Sequence, residues 1–334
     1  MSINAYAAQS AKGRLEPFTY EPGPLGRNEV EVAVTHCGIC HSDMSMLNND
    51  WGFSQYPLIP GHEVIGTVAA KGEGVLELEI GQRVGVGWQC GSCAACEYCH
   101  TGREHLCAQE VDTIVHHHGG FADRVRATAE FAVPIPEALP SAETGPLLCA
   151  GNTVFSPILR HHVNGTMRVA VVGIGGLGHI AVQFLAKMGC EVTAISSTHS
   201  KDEEARGFGA KHFIATKGTD ELKKAAGSFD FIISTVSASL PWNDYVDALR
   251  PQGTMLTVGV PDAEMQIGAF GLIGKEKEIA GGRAGSPSDI RQMLDFAARH
   301  GVRAQIEKYP MDAVNDAMAR LESGKARYRV VLER

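Results

Sequence analysis

The chain has no basic block, no apolar leader and no long unbroken hydrophobic stretch. The lack of a basic block, with a formal charge of −8, argues against nucleic acid and anionic membrane surfaces as partners. The opening MSINAYAAQSAKGRLEPFTY lacks the apolar run of a signal peptide, so a cytoplasmic protein is expected. Residues 169 to 186 hold no Asp, Glu, Lys or Arg and reach about the minimum length of a membrane crossing. Four glycines, His179 and Gln183 interrupt them, and a strand, a turn and an amphipathic helix account for them better. Neither an internal repeat nor a low-complexity tract is present.

What is there is a chain of 334 residues, 44% hydrophobic, too long for one ordinary core and suited to two domains. The first part is rich in Gly, Pro and short β-branched runs. EVEVAVTHCG, VIGTVAAKG and QRVGVG read as short strands joined by turns, a β-rich domain of barrel type. From about residue 150 the pattern changes. RVAVVG (168–173), EVTAIS (191–196), FDFIIST (229–235) and GTMLTVGV (253–260) read as buried strands with helical segments between them. In LGHIAVQFLAKMG, Leu177, Ile180, Ala181, Phe184, Leu185 and Met188 recur at helical spacing. Strand and helix in alternation predict an α/β doubly wound parallel sheet. IRQMLDFAARHG and MDAVNDAMARLESGK predict two further helices, and RYRVVLE a closing strand.

Gly173, Gly175 and Gly178 form G-x-G-x-x-G between a predicted strand and a predicted helix. That context lets a backbone turn tightly against a pyrophosphate at a helix N-terminus; Gly176 and Leu177 complete the loop. An NAD site carries Asp or Glu at the end of the second strand. This chain has Ser196, Ser197 and Thr198 there, followed by Lys201. Hydroxyls and an ammonium suit a 2′-phosphate that a carboxylate would repel, so NADP(H) is favoured over NAD.

Nine cysteines in a cytoplasmic chain point to metal rather than disulfides. CGSCAACEYCHTGREHLC, residues 90–107, holds five of them. Cys93, Cys96, Cys99 and Cys107 could close a tetrahedral shell around a structural zinc, and so could a set beginning at Cys90. A second set is scattered: a cysteine of CGICHSD (37–43), the histidine of GHE (61–63) and the cysteine of PLLCAG (146–151), each weak taken singly. Cys, His and Cys make a three-ligand zinc site with one place open, the mark of a catalytic metal.

GICHSD, YPLIPGHEVIG, the cysteine lobe, PLLCAGNTV, GIGGLGH and ARYRVVLE together resemble the zinc-dependent medium-chain alcohol dehydrogenases, above all their cinnamyl alcohol dehydrogenase branch. The resemblance spans nearly the whole chain. It implies a GroES-like catalytic domain over 1–148, a Rossmann NADP-binding domain over 149–285, and a segment 286–334 that returns to complete the first. It also implies a homodimer paired through the Rossmann domains. By the family pattern, Cys40, His62 and Cys149 hold the catalytic zinc, with Glu63 beside it and Asp43 orienting His62. Cys93, Cys96, Cys99 and Cys107 hold the structural zinc and Cys90 is spare, giving two Zn2+ per chain. Thr153 matches a nicotinamide contact, His41 and Arg329 match positions near the cofactor's phosphates, and Gly259 joins the cofactor site. Trp51 and Trp88 match the apolar wall of the substrate pocket.

The implied reaction interconverts alcohols and aldehydes by hydride transfer, chiefly as aldehyde reduction. The alternative enzyme is an NAD-linked polyol dehydrogenase. Ser42 is placed to pass the substrate proton onward. Many family members continue that relay with a His five residues after the first ligand, where this chain has Ser45. Serine can pass a proton but cannot store one near neutral pH. His116, His117 and His118 read as a solvated turn, and KEKE (275–278) as a solvated edge.

Overall fold

The computed structural model describes residues 2–261 and 263–334. The chain divides into two compact units: residues 1–152 with 284–334, and residues 153–283. The divisions fall a few residues from those read in the sequence. The first lies inside the helix Ala150–Arg160. Hydrophobic periodicity marks where a helix begins, not where along it one core gives way to another.

The first unit is built on a seven-stranded, mainly antiparallel sheet. Its strands run in the order Ile306–Pro310, Arg329–Glu333, Glu29–Ile39, Glu63–Lys71, Arg83–Val86 and Val133–Pro134, with Arg124–Thr128 also paired to Glu29–Ile39. Alternation sends Val30, Val32 and Val34 into the core, with Val64, Val68, Val84 and Val86 among their neighbours. The C-terminal strand pairs antiparallel with Glu29–Ile39, Val330 opposite Ile39. That register carries Arg329 to the end of the strand that leads into Cys40. The helix Pro287–His300 is well signalled. Ser286 and Asp289 form a capping box, Pro287 starts the first turn, and Gly301 ends it in a left-handed conformation.

The second unit is a six-stranded parallel sheet, a Rossmann fold. Across it lie His212–Ala215, Glu191–Ser196, Arg168–Val172, Phe229–Ser234, Leu249–Thr257 and Glu278–Gly281. Numbered along the chain this is 3-2-1-4-5-6, and the order reverses between Arg168–Val172 and Phe229–Ser234. Ligands of such sheets bind beyond the strand ends at that reversal. Val169, Val171, Ile232 and Ile233 are fully buried, as strands covered on both faces require. Two strands escaped the sequence reading. HFIA is short and half exposed. Glu278–Gly281 begins in the charged KEKE run, and its charge suits a sheet edge. The helix Gly178–Lys187 fills part of the charge-free stretch. No helix among the described residues is long and apolar enough to cross a membrane.

Candidate functional site

Cys40 follows the strand Glu29–Ile39 and caps the helix His41–Asn48. Asp43, in that helix's first turn, is fully buried and accepts three hydrogen bonds. They come from the Cys40 amide at 2.8 Å, the Gly61 amide at 2.8 Å and His62 Nδ1 at 2.9 Å. Since a carboxylate only accepts, His62 carries its proton on Nδ1 and turns Nε2 the other way. Nε2 meets Cys149 Sγ at 3.2 Å, and Cys149 Sγ lies 3.9 Å from Cys40 Sγ. With Glu63 these side chains offer four ligand atoms within 4.8 Å of one another, all on buried residues.

Zinc bonds of about 2.3 Å to sulfur and about 2.0 Å to nitrogen give tetrahedral edges of about 3.5–3.8 Å. The spacings here come close to those edges, so the donor set fits zinc. The proton balance fits it too. The hydrogen bond from Cys149 holds the Cys40 thiol well below its ordinary range against the opposing effect of burial, while Cys149 is driven up. Burial alone would lower His62, but Asp43 and Cys40 outweigh it and leave it well above its usual range. Burial pushes Glu63 up to about 7, with Arg329 pulling the other way.

Glu63 shows a further mark of a ligand site. One carboxylate oxygen is ion-paired to Arg329, and the other is buried without a partner. The space it occupies exists because residue 38 is glycine: a Cβ there would collide with the carboxylate. Nothing in CGICHSD marks Gly38, because its role depends on a carboxylate twenty-five residues away in the sequence. Arg329, matched by resemblance to a position near phosphates, sits here as the partner of Glu63. It also donates to the Ile39 carbonyl at 3.2 Å.

Around this set lie Ser42, 3.9 Å from Cys40 Sγ, and the buried Ser45. His41 is exposed at the helix start. The Trp88 ring stands edge-on to the His62 imidazole, centroids 4.9 Å apart, and Trp51 packs edge-on to Trp88 at 6.2 Å. Phe53, which the sequence reading omitted, extends the row by stacking on Trp51 at 5.8 Å.

Cys93, Cys96, Cys99 and Cys107 form the second group of four ligand atoms within 4.8 Å. Cys93 and Cys99 Sγ are 3.9 Å apart, and Cys96 and Cys99 Sγ 3.5 Å, again close to a tetrahedral zinc edge. Hydrogen bonds from the Ala95 amide, the Cys107 thiol and the Cys96 amide hold Cys93 down to about 6. Cys90 stands outside the group. It is packed in the core, and burial pushes its thiol up to about 12.

The histidine run corrects one expectation. Only His116 is exposed; His117 and His118 are half buried, and burial lowers both. The Tyr20 ring packs against His118 at 4.4 Å, and His117 Nδ1 lies 3.3 Å from the Thr113 carbonyl. Sequence polarity does not register the Tyr20 ring, brought to the turn from the distant strand Glu16–Tyr20.

In the second unit, Gly173 follows its strand with φ of 88°, a left-handed conformation that favours glycine. A Cβ on Gly178 would strike the Gly173 carbonyl, whereas one on Gly175 would meet nothing, so the loop is open at its middle. Gly176 and Leu177 form the turn into the helix. Thr235 Oγ1 donates to the Val172 and Gly173 carbonyls, at 3.0 and 2.9 Å, and ties the loop to the reversal point. Gly259 packs against the Val236 backbone beside it. Ser196 ends its strand half exposed, Ser197 and Thr198 are exposed, and Lys201 Nζ reaches back to the Ile174 carbonyl at 2.6 Å. Thr153 is half buried on its helix.

Residues 26–137 match the alcohol dehydrogenase GroES-like domain, and residues 176–299 the zinc-binding dehydrogenase domain. The chain therefore belongs to the zinc-binding alcohol dehydrogenase family. It is 50% identical to the aldehyde reductase AdhA of Synechocystis sp., over 99% of this chain and 98% of that protein. A cinnamyl alcohol dehydrogenase structure from Sorghum bicolor superposes with a TM-score of 0.95 at 40% identity, covering 100% of this chain and 98% of that one. The Helicobacter pylori cinnamyl alcohol dehydrogenase, solved with NADP(H), gives a TM-score of 0.91 at 29% identity, covering 100% and 98%.

Proposed function

We propose that this enzyme interconverts primary alcohols and aldehydes with NADP(H) and two zinc ions, working chiefly as an aldehyde reductase. The observation that carries the reading is the buried set Cys40, His62, Glu63 and Cys149, four donors within 4.8 Å. Zinc, when bound, supplies a Lewis acid for the alcohol or carbonyl oxygen, and NADP(H) gives or takes the hydride. The chain's own residues do the rest. Asp43 fixes the tautomer and direction of His62. Glu63, anchored by Arg329, keeps one oxygen inside the donor set. Ser42, beside Cys40, passes the substrate proton outward, and Ser45, being serine, can relay it but not hold it. Trp88, Trp51 and Phe53 present an apolar aromatic wall suited to aromatic or medium aliphatic aldehydes.

The NADP(H) preference rests on Ser196, Ser197 and Lys201, with no carboxylate at the end of the second strand. The relative solved with NADP(H) supports it. A second copy of the chain would join along Glu278–Gly281. That strand is the sheet edge, and Phe270, 93% exposed, and Ile273 lie in the helix that precedes it. The free cysteines suit the cytoplasm.

The test is initial rates with NADPH and NADH across aldehydes and polyols, with zinc counted per chain. Preference for NADPH and aromatic aldehydes, at two zincs, is the expected result. A preference for NADH and polyols would replace this reading with a polyol dehydrogenase. Ser196→Asp should move the NADPH-to-NADH ratio of kcat/KM about tenfold toward NADH, the size of one charge-assisted hydrogen bond exchanged for repulsion.

A further inference from the structure

His179 stands directly after the glycine loop, and neither the dinucleotide motif nor the zinc chemistry uses it. It is fully buried, an uncommon place for an imidazole. Its Nδ1 lies 3.0 Å from the Gly175 carbonyl, and its own amide donates to that same oxygen at 3.1 Å. A carbonyl can only accept, so the ring is held with its proton on Nδ1. On another side, the His179 ring packs against Phe208, centroids 5.4 Å apart. Phe208 caps the helix Asp202–Gly207, which starts immediately after Lys201.

We propose that His179 is the positioning residue of the pyrophosphate loop, an inference that rests on the dinucleotide reading above. The peptide between Gly175 and Gly176 is planar and trans, so its C=O and N–H point in opposite directions. Pinning the Gly175 oxygen to the helix with two donors aims the Gly176 amide away from the helix, toward the open middle of the loop. Donors aimed in advance cost nothing to orient when a phosphate arrives. The neighbouring peptide is treated alike: Lys201 Nζ holds the Ile174 carbonyl. His179 therefore serves the pyrophosphate, which NADPH and NADH share, and not the 2′-phosphate that separates them.

The test is fluorescence titration of NADPH and NADH into the zinc-loaded enzyme, with steady-state kinetics alongside. His179→Leu keeps the bulk and removes the donor. It should weaken both dinucleotides by the same five- to tenfold, about one lost buried hydrogen bond, with kcat unchanged. His179→Asn places an amide nitrogen where Nδ1 now sits and should bind both within about twofold of the parent. If the leucine variant does not fold, His179→Met gives the same comparison. Unchanged dissociation constants in the donor-free variants would overturn the proposal. So would failure of asparagine to restore binding, or a loss confined to NADPH. A parent enzyme that binds neither dinucleotide would instead overturn the reading beneath it.

Discussion

Two four-donor clusters in one unit differ in almost every respect but their spacing. Cys93, Cys96, Cys99 and Cys107 lie within fifteen residues, and three of them are partly exposed. Backbone amides stabilise the negative charge there. Cys40, His62, Glu63 and Cys149 are drawn from three distant segments, are all buried, and bring Asp43 and Arg329 with them. The first cluster needs only local chain geometry and suits a closed structural shell. The second needs the finished fold around it, and that fold sets its charge and direction. On the proposed function, one would hold a lobe together and the other would serve the chemistry.

Breaking the second cluster should have the largest effect. Cys149→Ala should lower turnover by roughly a thousandfold or more, because such a metal supplies several kcal/mol to the transition state. Metal analysis should still find one zinc per chain, in the lobe. Two zincs with full activity would remove Cys149 from the site. Cys107→Ser should do the reverse. The lobe zinc is lost and Tm falls by roughly 10 °C, while folded protein keeps most of its turnover in the cold. Calorimetry with metal analysis reads both.

Gly38→Ala sharpens the contrast without touching a donor. Its Cβ displaces the Glu63 carboxylate and should cost about 10- to 100-fold in kcat/KM or in zinc affinity, with a fall in Tm as the buried pair with Arg329 is disturbed. A smaller loss would make Glu63 a bystander. Cys90→Ala should change least. It trims a core thiol at about 1 kcal/mol, seen in a urea melt, and leaves both zincs in place.

The same contrast explains what could be read from the sequence. The cysteine lobe is visible because its ligands are close together, though spacing alone could not choose between Cys90 and Cys107. The parallel sheet is visible in its buried strands and glycine loop, while the two short, partly exposed edge strands are not. The scattered donors were assembled through resemblance, since no local rule links residue 40 to residue 149. Missed altogether were residues whose importance lies in what they leave out or turn away. Gly38 matters for an absent methyl group. His179 looks like one more helix residue until its carbonyl partner is seen. The pairing of Arg329 with Glu63 is likewise invisible, because a lone arginine does not reveal which buried acid it faces.

Asp43 accepts hydrogen bonds from the Cys40 amide, the Gly61 amide and the His62 ring, and so fastens two segments with one side chain. Asparagine in its place could accept some of these bonds, but its amide would face another donor. No neighbouring substitution repairs all three at once. The position works as a keystone: the segments it joins are held in register while it stays and lose that alignment once it goes.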